Sequence, residues 1–406
     1  MKKIIEGIKY WGQLLLLPVY WFSFLFPRNK RIWLFGSTFG RRFADNPRYF
    51  FLYCSQHREE LDMRPIWISH DKGIVKFLNE NGYEAYYYHS LKGIWYALRG
   101  RIYFFDNYSK DINFWQSGGA LKFNMWHGVG NKCINYDNRH DRVRHPRNGW
   151  ERFKFFPRRL SDEKPSHYIL ATSPMIGKIF ARAFQVQENH VIEAGYPRND
   201  ILFKENSVEN VYLTEEKLLQ QHIKEWKQGG QRLLGYFPTF RRSEVKFFEV
   251  CDLKAFNTFL QENNMIFICK LHPKSACKGA FEAVDYSHIY VVKPEVDMNS
   301  FLGDIDLLVA DYSSVYSDFM LLNRPVVAFH YDYEEYSADT RDGYFDYEEY
   351  MPEVRAYNMQ ELEDSICQVL KKDEALEKRK HFCKKLYKNM DGNSCRRLVK
   401  EIQQLM

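Results

Sequence analysis

The chain has 406 residues, enough for two domains that each bury a core of their own. Hydrophobic residues make up 45% and aromatic residues 17%, which excludes an intrinsically disordered chain. The formal net charge of +6 favours anionic partners such as nucleic acid, anionic lipid or phosphorylated substrates. Its eight cysteines contain no C-x-x-C pair, which argues against a zinc ribbon or a dense disulfide framework and favours a reducing, cytosolic environment.

The N-terminus carries a strongly apolar stretch over residues 13–26, with basic residues on both sides. This stretch is short for a bilayer span, and no small-residue cleavage site typical of a signal peptide follows it. The pattern predicts a membrane-associating segment over residues 1–30, with a helix in the interface of the cytoplasmic leaflet. A single-span anchor and a helix packed on the protein's own domain stay open as alternatives.

Beyond this segment, apolar strand-like runs alternate with amphipathic helical runs. Helices are predicted over residues 73–81 and 175–184. The first series of strands is predicted over residues 31–36, 65–69, 84–88, 102–106, 122–126, 168–172 and 191–194. This alternation predicts a parallel, doubly wound sheet in an N-terminal domain of residues 31–206.

A second series of strands follows a charge-rich helical stretch over residues 207–231, which we take to contain the domain boundary. Its strands are predicted over residues 233–237, 265–270, 289–292, 306–310 and 325–329. The predicted C-terminal domain covers residues 207–369, and the charged residues 370–406 form a helical segment that packs across both domains. The expected fold class is therefore α/β, with two facing Rossmann-like domains.

Ligands of such sheets bind beyond the carboxyl ends of the strands, so the polar residues there are the candidate site. The turn after residue 310 places Ser313 and Ser314 at the start of a helix, where hydroxyls and free backbone N–H groups suit an anion. The same hydroxyls could equally cap the helix. The strand ends carry five motifs: Trp126-His127-Gly128, Gly195-Tyr-Pro-Arg-Asn-Asp200, Pro238-Thr239, Leu271-His272-Pro273 and Asp311-Tyr-Ser-Ser314.

In order and approximate spacing, these motifs resemble the CDP-glycerol glycerophosphotransferases of wall teichoic acid and capsule synthesis. The resemblance covers roughly residues 122–353 and includes Ser173-Pro174, Asp318-Phe319 and residues 341–346. It implies a GT-B-like fold and a CDP-glycerol or CDP-ribitol donor. It also implies transfer of the polyol phosphate to a hydroxyl of a polyprenyl-diphosphate-linked glycan or polymer, with release of CMP.

The resemblance also implies residue roles. His127 matches the catalytic base, a task that suits an imidazole because its pKa lies near neutrality. His272 matches the second essential histidine. No cofactor is expected, and no metal site, because no neighbouring carboxylate spacing accompanies Asp311. The donor diphosphate and nucleotide are expected to contact Thr239, Ser313, Ser314 and Arg341.

Two features depart from the family pattern. Val129-Gly130-Asn131-Lys132 follows the His-Gly motif where relatives carry Pro-Leu-Lys, so Lys132 is retained and the proline is not. Residues 139–159 combine many arginines with aromatic side chains, a pattern that suits anionic lipid headgroups or a polyprenyl diphosphate, with a solvated basic loop as the alternative. The predicted acceptor or membrane contacts are Lys132, Arg142, Arg144, Arg147 and Trp150.

Two other functions stay open at this point. A glycosyltransferase that uses a nucleotide sugar would show the same alternation and the same strand-end polar groups. A membrane-bound nucleic-acid-binding protein would use the basic segment, although nothing else resembles a nucleic-acid module and no nucleic-acid partner is expected. The favoured interpretation is a peripheral enzyme on the cytoplasmic side of the cell membrane. The sequence leaves open the polyol, primer or polymer synthesis, and homo-oligomer formation.

Overall fold

The computed structural model describes residues 2–162, 166–203, 209–239, 245–271, 275, 279, 281, 285–335 and 342–405. The chain folds into two compact units. The first unit consists of Met1–His127, Cys133–Val211 and Tyr387–Met406. The second consists of Gly128–Lys132 and Tyr212–Leu386. The chain therefore enters the second unit briefly after His127 and returns to the first for its last helix.

The first unit is built on a seven-stranded sheet in which every neighbouring pair is parallel. The strand order is β3-β2-β1-β4-β5-β6-β7. The register places Trp33 of β1 opposite Pro65 on one side and Ile102 on the other. The strands are β1 Asn29–Phe35, β2 Arg64–Ser69, β3 Ala85–Tyr87, β4 Gly100–Phe105, β5 Leu121–Asn124, β6 Tyr168–Leu170 and β7 Val191–Ile192.

Helices follow most of these strands, and local sequence explains where several of them begin. Ser173 caps the helix Pro174–Phe184 because its Oγ accepts the Ile176 N–H at 3.3 Å, and proline suits the first helical position. The helices of this unit are Lys2–Gly12, Leu17–Phe22, Asp45–Gln56, Lys72–Glu80, Leu91–Arg99, Gly149–Lys154, Phe156–Asp162, Pro174–Phe184 and Ser394–Gln404.

The second unit is built on a six-stranded parallel sheet with the order β10-β9-β8-β11-β12-β13. Its strands are β8 Arg232–Tyr236, β9 Met265–Cys269, β10 Ile289–Val291, β11 Leu307–Ala310, β12 Val326–Phe329 and β13 Val354–Ala356. Its helices are Thr214–Gln228, Val245–Val250, Leu253–Glu262, Asn299–Leu302, Val315–Met320, Tyr347–Tyr350, Met359–Lys371 and Leu376–Leu386.

The two parallel sheets confirm the predicted α/β class. Each predicted strand overlaps an observed one, and the sequence missed only β13 among the strands described. Strand residues such as Leu34, Ile66, Leu234 and Val309 are buried, as expected for parallel sheets covered by helices. Both sheets share the Rossmann strand order, so each has a switch point, between β1 and β4 and between β8 and β11.

Candidate functional site

At the switch point of the first unit, a buried carboxylate ties the loop after β4 to the loop after β1. The Asp106 carboxylate accepts the Thr38 N–H at 2.9 Å and the Ser37 hydroxyl at 2.5 Å. Asp111 accepts the Phe39 N–H at 2.9 Å. Thr38 and Phe39 have φ angles of 47° and 56°, a conformation that costs free energy for non-glycine residues. The two carboxyl groups therefore hold a strained loop in place.

Asp111 also fixes the loop after β4, because its carboxyl accepts the Asn107 N–H at 2.9 Å. Burial and the neighbouring Asp106 raise the pKa of Asp111 well above its ordinary value. A carboxyl group in this setting retains its proton more readily and can donate it to an adjacent carboxylate. The Asp106 carbonyl oxygen lies 3.0 Å from the His127 ring, and the carboxyl groups of Asp106 and Asp111 fix the loop that contains it.

His127 lies beyond the end of β5 with its ring exposed and one ring nitrogen committed. Its Nδ1 lies 3.0 Å from the Asp106 carbonyl oxygen, which can only accept, so Nδ1 carries the proton of the neutral ring. The lone pair is therefore on Nε2, the arrangement that a general base requires. The Trp126 ring packs on the imidazole with 3.9 Å between centroids, and Trp126 has a φ of 48°.

The main chain around His127 is held by residues to which the sequence assigned no role. Arg198 is buried, and its Nη1 donates to the His127 carbonyl at 2.7 Å and to the Asp45 carboxylate at 2.9 Å. Asn46 donates to the Trp126 carbonyl at 2.9 Å and accepts the Arg198 N–H at 3.2 Å. The only signal in the sequence was the place of Arg198 in a strand-end motif.

At the switch point of the second unit, Asp311 plays the part that Asp106 plays in the first. Its buried carboxylate accepts the Thr239 N–H at 2.6 Å and the Ser313 N–H at 2.8 Å. The Thr239 hydroxyl lies 3.4 Å from the same carboxylate and 3.4 Å from the Lys132 ammonium. In both units a carboxylate after the fourth strand therefore orders the loop after the first strand. The predicted residues Thr239, Ser313 and Lys132 lie together.

Ser314 is exposed at the N-cap position of the helix Val315–Met320 and makes no side-chain capping bond. The alternative that its hydroxyl caps this helix is therefore wrong. A Cβ on Gly130 would lie 3.1 Å from the Ser314 Cβ, so Gly130 brings its main chain close to this serine. The neighbouring Asn131 is fixed by the Phe345 N–H at 2.7 Å. The loop after His127 is thus ordered beside Ser314.

His272 and Arg341 lie outside the residues that the structure describes. Among the residues it does describe, no group of three or more His, Cys, Asp or Glu side chains could hold a metal ion.

The basic segment divides into a buried part and an exposed part. Arg144 is buried, with an ion pair to Asp141 at 2.5 Å and a hydrogen bond to the Tyr108 hydroxyl at 2.9 Å. Arg142 is half-buried, Arg147 is exposed and Trp150 is 70% exposed. Arg144 therefore belongs to the interior of the unit, whereas the other predicted acceptor or membrane contacts are half-buried or exposed.

The N-terminal helix packs against the exposed part of this segment. The Trp11 and Phe153 rings lie 4.7 Å apart, and the Tyr10 hydroxyl donates to the Lys154 carbonyl at 2.9 Å. No helix within the described part of the chain is long and apolar enough to cross a membrane. We give the name aromatic surface to a set of exposed apolar residues from the stretch 15–25 and from the basic segment; they are Leu15, Leu16, Trp21, Phe22, Phe24, Leu25, Trp150, Phe153 and Phe156.

These observations describe an α/β protein with two sheets of Rossmann order, in which a carboxylate at each switch point orders a loop. A family model described as CDP-glycerol:poly(glycerophosphate) glycerophosphotransferase matches residues 19–404. The chain belongs to this family and is an enzyme of the phosphotransferase class. The resemblance inferred from the motifs is thereby confirmed.

Known relatives agree with this assignment. The chain is 28% identical over 327 residues to the teichoic acid poly(glycerol phosphate) polymerase of Bacillus spizizenii, covering 79% of each chain. It is 25% identical over 393 residues to the teichoic acid glycerol-phosphate transferase of Staphylococcus aureus, covering 92% of this chain and 93% of the relative. The solved wall teichoic acid polymerase TagF shares the fold, with a TM-score of 0.72 at 18% identity over 99% of this chain and 97% of that chain.

Proposed function

We propose that the enzyme transfers a polyol phosphate from a CDP-activated donor to a hydroxyl of a lipid-linked glycan or growing polymer. Glycerol phosphate is the first candidate for the transferred group. The family match and the glycerol-phosphate transferases among its relatives support this activity. Because other relatives are ribitol-phosphate polymerases, CDP-ribitol is a second candidate donor. The observation that carries the proposal is His127, whose Nδ1 is committed to a carbonyl and whose Nε2 is left to accept a proton.

In the proposed reaction, the acceptor oxygen attacks the phosphorus that carries the polyol. The bond from this phosphorus to the bridging oxygen breaks, and CMP leaves with that oxygen. His127 Nε2 takes the proton of the acceptor hydroxyl as the new phosphodiester bond forms. Arg198 acts as a positioning residue, because it holds the His127 carbonyl at 2.7 Å without touching the reacting atoms.

The loop ordered by Asp311 is proposed to bind the donor diphosphate. Hydroxyls of Thr239, Ser313 and Ser314 supply hydrogen bonds, and the Lys132 ammonium beside Thr239 supplies positive charge. Groups of this kind stabilise the negative charge that develops on departing CMP. From the family resemblance, His272 and Arg341 are proposed as further diphosphate ligands.

The GT-B-like architecture also belongs to the proposal, as does peripheral attachment to the cytoplasmic side of the membrane. The aromatic surface supports attachment, since exposed apolar side chains beside lysines and arginines suit an anionic lipid interface. Arg142, Arg147 and Trp150 are proposed membrane or acceptor contacts.

The activity is tested by incubating the purified chain with a lipid-linked acceptor and, separately, CDP-glycerol, CDP-ribitol and UDP-sugars. We expect CMP to be released from a CDP-polyol and the mass of the acceptor to increase by one or more polyol-phosphate units. Release of UDP, with no CMP from either CDP-polyol, would overturn the proposal in favour of a glycosyltransferase. The product length distinguishes addition of one unit from polymerisation.

A further inference from the structure

The first unit contains a small cavity at the carboxyl ends of β4 and β5, with several polar and charged side chains in its wall. Its volume is about 30 Å³. Asn107, two residues after β4, and Asn124, the last residue of β5, form part of its wall. Phe184 lines it as well, and its ring contacts the Trp126 ring at 4.6 Å, the same ring that packs on His127. The cavity therefore lies at the sheet edge where ligands of α/β proteins bind.

Two buried hydrogen-bond donors line this cavity without an acceptor. The Asn135 Nδ2 and the Arg144 Nε have no partner in the part of the chain that the structure describes. Both residues are only 9% exposed. Buried donors are almost always satisfied in folded proteins, by protein, by water or by a ligand. This pair therefore indicates a bound group that offers acceptor oxygens.

The charges around the cavity favour an anion. Lys122 and Arg144 both line it, and among the described residues of its wall the one carboxylate is that of Asp162. This carboxylate is already engaged by Lys110 at 2.6 Å and by Arg158 at 3.0 Å. Within the described part of the chain, the four cations Lys110, Lys122, Arg144 and Arg158 lie near two carboxylates, those of Asp141 and Asp162. The excess of positive charge in a buried place suits a phosphate better than a neutral hydroxyl.

We propose that this cavity binds a phosphate group of the polyol-phosphate acceptor, with Asn135 and Arg144 donating to its oxygens. The inference rests on the proposed function and adds an acceptor subsite to it. A volume of about 30 Å³ gives room for roughly two water-sized positions, enough for two phosphate oxygens while the ligand extends through the opening. In this arrangement the buried Arg144 binds the acceptor, and the more exposed arginines of the basic segment contact lipid.

The test uses Asn135→Asp in the full chain. Asn135 has a φ of 47°, which aspartate tolerates, so the substitution preserves the main chain while it replaces a donor with a charged acceptor. Asn323→Asp is the matched control, since Asn323 is also left-handed, with a φ of 54°, but is exposed and lies in the second unit. Asn135→Gly is a second variant that removes the donor without adding charge.

Binding of sn-glycerol 3-phosphate and of glycerol is measured by titration calorimetry. We expect Asn135→Asp to weaken binding of sn-glycerol 3-phosphate by about tenfold or more, Asn135→Gly to weaken it less, and the control to leave it unchanged. Glycerol is expected to bind far more weakly than its phosphate. Equal affinity of wild type and Asn135→Asp, an equal loss in the control, or equal binding of both probes would overturn the site.

Kinetics with a polyol-phosphate acceptor give the second measurement. The KM for the acceptor should rise by about tenfold in Asn135→Asp while the affinity for CDP-glycerol stays that of the wild type. An unchanged acceptor KM would contradict the subsite. If the wild-type enzyme releases no CMP from any CDP-polyol, the proposed function fails, and the calorimetric titration still decides separately whether the phosphate site exists.

Discussion

Replacing Asp311 with asparagine perturbs the loop that is proposed to bind the donor while it leaves every proposed donor ligand in place. Asp311 is buried, and its two oxygens accept the Thr239 and Ser313 N–H groups at 2.6 and 2.8 Å. Asparagine has the same shape but only one acceptor oxygen. Its amide group would therefore face one of these N–H groups, and that hydrogen bond would be lost.

The size of the effect follows from this single lost bond. A hydrogen bond to a charged group contributes about 1.5–3 kcal/mol. If the loop binds the donor only in its ordered form, the Kd for CDP-glycerol should rise by roughly 10- to 150-fold. The free energy of unfolding should fall by a similar amount, about 1.5–3 kcal/mol, because the bond is also missing in the enzyme without donor.

Donor affinity is measured by titration calorimetry with CDP-glycerol, and stability by urea denaturation. Asp318→Asn is the matched control, since Asp318 is equally buried and lies further along, in the helix Val315–Met320. The control should lose stability without a comparable loss of donor affinity. Wild-type affinity in Asp311→Asn, or the same loss of affinity in both variants, would show that Asp311 does not order the loop for donor binding.

Three further predictions concern the first unit. Arg198→Met should lower the free energy of unfolding by about 1.5–3 kcal/mol because it removes the ion pair with the half-buried Asp45; Asp45→Asn in addition should restore stability but not CMP release, and recovery of both would contradict the positioning role. Burial and Lys122 lower the pKa of His167, whose Nδ1 accepts the Lys122 N–H at 2.9 Å. His167 is exposed, so its effect is small; its contribution to stability is present above about pH 6.5 and is lost as the pH falls, and denaturation at several pH values should show a slightly shallower slope in His167→Gln, whereas an unchanged slope would exclude it. Leu15→Ser with Leu25→Ser should weaken flotation with anionic vesicles about tenfold or more, whereas Leu91→Ser, at an equally exposed leucine outside the aromatic surface, should not; equal behaviour would argue against membrane attachment through this surface.

The sequence predicted the fold well where strands are continuous apolar runs. The strand β9 consists of buried apolar residues, β4 is buried from Ile102 onward, and a polar residue follows each of them, so both their existence and their carboxyl ends could be located. The strand β13 was missed because Val354–Ala356 has only three residues, one of them arginine. Equally short strands such as β3 and β10 could be predicted because their residues are apolar or aromatic, whereas the arginine interrupts the run here, and only its pairing with β12 makes it a strand.

The candidate site was predictable in its motifs but less so in its supporting contacts. His127, Thr239 and Ser313 could be located because they follow strands. Nothing in the sequence showed that the Asp106 carbonyl would fix the His127 ring, since backbone acceptors carry no residue signature. Arg144 was predicted as an acceptor or membrane contact with its basic neighbours, and nothing in the sequence showed that it is buried, paired with Asp141 and hydrogen-bonded to the Tyr108 hydroxyl.

Single-turnover CMP release by His127→Ala with saturating CDP-glycerol tests the role of His127 as the general base. We expect a rate about 10²- to 10⁴-fold below wild type, with the Kd for CDP-glycerol unchanged, because only the base is missing. The double variant Ser313→Ala with Ser314→Ala should show the converse, a higher Kd and nearly normal turnover once donor is bound. A near-normal rate in His127→Ala, or donor binding lost with it, would contradict the assignment of His127 as the general base.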